Sequence, residues 1–152
     1  MGMNVADDLA TGFLRNTGYL NRQIADIDHD ESLRQVDGVN CLNWTVGHIV
    51  HYRNVVLRAL EASPIDGLGS RYDRESDPIL SDGPDVLAFG TLRGLFQESG
   101  EVVADAIRSS DGDLGRPVMV GDQEVALGSR LQFYLFHDTL HVGQADVLAA
   151  MA

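Results

Sequence analysis

His137 and His141 stand four residues apart in the final stretch of the chain, Ser129 to Ala152. On a helix, at about 100° of turn per residue, that spacing stacks two imidazoles on one face, where both can chelate one metal ion. A transition metal is held well only with at least one more protein ligand, so another element must bring a donor to this face. The single cysteine, Cys41, excludes a multi-cysteine zinc knuckle and an internal disulfide framework, which leaves imidazole and carboxylate as donors. The best upstream donor is His48, in N-W-T-V-G-H-I.

The period of the apolar residues predicts four helices around such a site. Leu9, Phe13, Leu20, Ile24 and Ile27 mark a first helix over Val5 to Ile27. The polar stretch Asp28 to Asp37 reads as a connection in which His29 is solvated. A second helix runs from Asn40, a good N-cap, to about Ala62, before Ser63-Pro64 stops it. It carries one stripe of Leu42, Val46, Ile49, Val56 and Leu60, and another of Trp44, His48, His51 and Val55. The second stripe puts histidine where packing alone would ask for Leu or Ala.

Ser63 to Pro84 is rich in Pro, Gly, Asp and Ser and reads as a long loop, with Arg71 and Tyr72 in an ordinary crossover. Roughly 20 residues can cross a bundle and leave the flanking helices parallel. A third helix covers Asp85 to Ser109, where Gly90, Gly94 and Gly100 call for close helix approach to offset their poor propensity. Pro117 to Val120 and Gln123 to Leu127 form a hairpin around Gly121-Asp122, with Gly first as a type II′ turn prefers. The last helix opens on Ser129 and Gln132 as a capping box, and its stripe Arg130, Phe133, His137, His141, Gln144 and Leu148 turns both histidines inward. The expectation is an all-α fold, a four-helix bundle in one domain over residues 1–152, with a long crossover and a small β-hairpin before the last helix.

The formal charge of −12, with no basic cluster, excludes nucleic acid and anionic membrane surfaces as partners. No apolar run reaches the ~18 residues of a membrane span. The start, M-G-M-N-V-A-D-D-L-A, has neither the basic residues nor the apolar core of a secretory signal, so the expected location is cytoplasmic. H-D-T-L-H comes one residue short of the zincin pattern H-E-x-x-H. A zincin needs a Glu to reach the metal-bound water and, in most families, a downstream ligand; Asp138 is shorter and the sequence ends eleven residues after His141. The third ligand therefore comes from upstream.

N-W-T-V-G-H-I-V-H-Y-R-N-V-V-L, the hairpin end V-A-L-G-S, and H-D-T-L-H-V-G-Q together resemble the DinB-like superfamily of four-helix-bundle metalloproteins, which includes the YfiT-like proteins. The likeness runs from about the first helix to the end, and H-x-x-x-H-x-G-Q is its most specific part. It implies an up-down-down-up bundle, a homodimer, and a divalent metal on His48, His137 and His141. His51, one turn from His48, is then assigned to the pocket wall or a proton relay.

Three histidines leave a coordination position open, the pattern of a catalytic site. Characterised relatives imply metal-dependent transferases or isomerases that use low-molecular-weight thiols. The functional expectation is a metal-dependent enzyme that activates a thiol or water for attack on a small electrophile, with His51, Asp138, Tyr134 and Gln144 as proton carriers or orienters. Zinc or nickel fits the imidazole donors best, with iron or manganese as alternatives. Two competing readings are a metal- or ligand-binding stress-response bundle without turnover, and a plain bundle with a histidine network in its core.

Overall fold

The computed structural model describes Gly2 and residues 4–152; Met1 and Met3 of the N-terminal stretch read above lie outside the described residues. Helices and one hairpin make up the regular structure. Helix α1 spans Val5–Ile24, α2 is the short His29–Ser32, α3 spans Leu42–Ala59, α4 Phe89–Ser109 and α5 Leu127–Met151. Strands β1 (Pro117–Val120) and β2 (Gln123–Ala126) pair antiparallel, with Val118 opposite Val125. Gly121 has φ +59° while Asp122 has a negative φ, as a type II′ turn requires.

Each of α1 and α3 packs against both α4 and α5. The core between them is mainly apolar: Phe13, Leu20, Val46, Leu57, Phe96, Ile107, Leu131 and Ala145 have no exposed surface. In α3 the first turns are buried all round, from Leu42 to Val50, which is why the sequence shows two stripes there. Among the described residues, no helix is long and apolar enough to cross a membrane.

Several boundaries differ from the sequence expectation. Helix α1 stops at Ile24, three residues early, and the supposed loop then forms α2, whose N-cap Asp28 and Glu31 make a full capping box. His29 is not merely solvated: its Nδ1 accepts from the Phe89 amide at 3.2 Å and its Nε2 lies 3.2 Å from Asp82. Asn40 is not an N-cap; α3 starts after Cys41. Helix α4 begins at Phe89, four residues later than expected.

At α5 the Ser129–Gln132 capping box is replaced by a tertiary solution. Strand β2 runs straight into the helix, and the amides of Leu127 and Gly128 donate to the carbonyls of Arg116 and Leu114 at 2.8 Å each. Free N-terminal donors are thereby satisfied without a side-chain cap. The buried stripe of α5 also differs from the predicted one. It is Leu127, Leu131, Tyr134, Asp138, Val142, Ala145 and Leu148, while Phe133 is 48% exposed and the two histidines are half-buried at the edge. In α4, only Gly100 answers a close approach, against Thr17 of α1; a Cβ at Gly94 would meet nothing.

Candidate metal centre

His48 is presented by the second turn of α3 and is 4% exposed. The glycine before it lets the crossover close over the helix: a Cβ at Gly47 would overlap the ring of Tyr72, which is fully buried. Tyr72 is held by its hydroxyl, which donates to Asn43 Oδ1 at 2.9 Å and accepts from the Leu87 amide at 2.8 Å. So fixed, the Tyr72 carbonyl lies 3.2 Å from His48 Nδ1. That contact puts the proton on Nδ1 and leaves the Nε2 lone pair free, the usual way a backbone carbonyl prepares a ligating histidine. Trp44 stacks on the His48 ring, at 4.4 Å and 14°.

Helix α5 brings the other two rings. His141 Nδ1 lies 3.1 Å from Gln144 Oε1, so this imidazole too carries its proton on Nδ1 and turns Nε2 outward. His137 Nε2 and His141 Nε2 are 3.2 Å apart. Two nitrogens each about 2.0–2.1 Å from a tetrahedral ion lie about 3.3 Å apart, so the pair already has the bite of a chelate. One nitrogen from each of His48, His137 and His141 lies within 4.8 Å of the other two. Burial pushes the His48 imidazolium down to about 4, helped by the three neighbouring histidines and opposed by the Tyr72 carbonyl. Burial and then His141 lower His137 as well. Both rings are therefore neutral at pH 7, the form that binds metal.

The sequence profile of the DinB superfamily matches residues 13–145, most of the chain and all three histidines. The chain belongs to the DinB superfamily. No curated protein matches it. Membership in the DinB superfamily and a three-histidine cluster are together compatible with a metal-binding protein.

The remaining expected residues of this DinB-superfamily chain fall into separate places. Gln144 is in the cluster, through His141. His51 stands beside it: its ring centroid is 5.9 Å from that of His48, and its Nδ1 lies 3.1 Å from Asp73 Oδ1. Burial lowers its pKa, and the Asp73 carboxylate pulls the other way. Tyr134 lies on the core stripe under the Arg130 guanidinium, 4.5 Å from its ring.

Asp138 points into the core and grips Arg53. Arg53 Nε donates to Asp138 Oδ1 at 2.9 Å and Nη2 to Oδ2 at 3.1 Å, while Asn16 adds a third bond to Oδ2 at 2.9 Å. Arg53 has no exposed surface; its Nη1 donates to Phe96 O and Ser99 Oγ, and its guanidinium lies over the Phe96 ring. The pair thus clamps α5 to α3 one residue from His137. The sequence reading missed Arg53, and also Tyr52, whose ring is 4.1 Å from that of His137. Tyr52 was findable, being one helical turn after His48.

Proposed function

We propose that this DinB-superfamily chain is a divalent-metal enzyme that activates a low-molecular-weight thiol for attack on a small electrophile, as a transferase or isomerase. The observation that carries the reading is the convergence of three imidazoles, two of them oriented through Nδ1, with three protein donors and so a position open to an exogenous ligand. When bound there, a divalent metal, zinc or nickel by donor type, supplies Lewis acidity that favours the ionised form of a thiol or water ligand. Tyr72 and Gln144 hold the ligating tautomers. His51, backed by Asp73, is the group we assign to receive the proton the nucleophile gives up. Asp138, with both oxygens engaged, serves to orient α5 rather than to move a proton.

We infer further that the four long helices form the up-down-down-up bundle of one domain, which the packing of α1 and α3 against α4 and α5 supports. A row of exposed apolar side chains along α5, Phe136, Leu140, Val147 and Met151, supports a homodimer, since such rows are seldom left to water. The test of the function is thiol consumption with an aryl halide or an uncharged activated alkene, with and without chelator. The reading expects turnover that is lost on chelation and in His48→Ala. Metal-loaded protein that turns over no thiol would overturn it, and chelator-sensitive ester hydrolysis in its place would make the chain a hydrolase.

A further inference from the structure

A cleft of about 740 Å3 opens beside the histidine cluster, between the turn before α3, the crossover and α5. Its volume is that of a small-molecule site. His141 and Gln144 form one end of it and Trp44 another part, so an occupant would sit against the outer edge of the cluster. The walls are tied together before any ligand arrives, because Gln35 Nε2 donates to the Ile79 carbonyl across the cleft at 3.1 Å.

The lining has a definite chemistry. Leu80 is 71% exposed, an unusually bare apolar side chain, and faces a cleft that also holds Trp44. Asn40, also in the lining, has a buried side-chain oxygen with no hydrogen-bond partner in the protein. A buried acceptor without a donor is a place where a ligand N–H or O–H is favoured. The one charged residue in the lining is Asp37; no Lys or Arg lines the cleft, and the chain carries a net −12. A carboxylate entering here would lose water and gain no cation from the walls themselves.

We propose that this cleft recognises the substrate of the histidine centre, and that it takes a neutral molecule with an apolar face for Trp44 and Leu80 and an N–H or O–H donor for Asn40, its own walls disfavouring a carboxylate. The inference rests on the histidine cluster being a reaction centre, but binding in the cleft is measured apart from turnover. Trp44 is the one tryptophan, so its fluorescence reports occupancy directly.

The experiment titrates metal-loaded and metal-free protein with a matched pair of probes, 3-phenylpropanamide and 3-phenylpropanoate, excited at the red edge of the Trp44 band. The amide is expected to saturate the signal at millimolar concentration with or without metal and, in metal-free protein, to bind at least about tenfold more tightly than the carboxylate. Asn40→Leu and, independently, the surface change Leu80→Lys should each weaken the amide by about fivefold or more. Equal affinity for the two probes in metal-free protein, no saturable response to the amide, or amide binding unchanged in both variants would overturn the proposal. Selectivity in the cleft together with no metal-dependent thiol turnover would leave the cleft standing and sink the proposed function; turnover without selectivity would do the reverse.

Discussion

Removing Asp138 probes the clamp that sets the face of α5. The carboxylate accepts two bonds from Arg53 and one from Asn16, and Arg53 has no route to water. In Asp138→Ala the guanidinium keeps only Phe96 O and Ser99 Oγ, leaving Nε and Nη2 buried and unpaired. Breaking a buried ion pair from one side costs about 3–5 kcal/mol. For a domain of this size each kcal/mol shifts Tm by about 2–4 °C, so the fall should be about 6–20 °C. The double variant Arg53→Met with Asp138→Leu removes both charges into an apolar setting and should recover most of that loss. Urea unfolding of wild type, Arg53→Met, Asp138→Leu and the double variant closes the cycle, with Asp138→Ala measured beside it. A loss below about 1 kcal/mol in Asp138→Ala, or a double variant as weak as the sum of the singles, would refute the clamp.

Two further outcomes follow from the site. In metal-free protein, the His48 pKa of about 4 lies below the unfolded value of 6.5, so folding favours its neutral form. The stability this gives, about 3 kcal/mol, is fully present above pH 6.5 and is lost as pH falls through 4; His51 and His137 act in the same direction. Urea midpoints from pH 7 to 4 should flatten in His48→Gln, and an unchanged slope would count against the burial argument. Gly47→Ala drives a methyl into the Tyr72 ring and should cost about 1–3 kcal/mol, with about a ten- to hundredfold loss of zinc affinity as the Tyr72 carbonyl leaves His48. Gly94→Ala, whose Cβ meets nothing, is the control and should be neutral or stabilising; equal zinc affinity in the two variants would remove the role given to Tyr72.

What was legible in the sequence was what local spacing encodes. The hairpin came out in register because a change of period brackets Gly121-Asp122, and the histidines because their four-residue step survives in any helix. The face of α5 was misread because that helix is apolar nearly all round: exposed Phe133, Phe136 and Leu140 satisfy a helical period as well as the buried Leu131 and Tyr134 do. Asp138 looked like a proton carrier or orienter since its partner, Arg53, is 85 positions away. The caps expected at Asn40 and Ser129 followed local preference, and tertiary contacts overrode the second when β2 delivered α5 onto the carbonyls of Leu114 and Arg116.

The most direct test of the account is metal content by elemental analysis of untagged protein, with His48→Ala and His51→Ala measured beside the wild type. The account predicts about one equivalent in the wild type, kept in His51→Ala and lost in His48→Ala. No metal in any sample and no uptake on titration, or loss in His51→Ala with retention in His48→Ala, would contradict it.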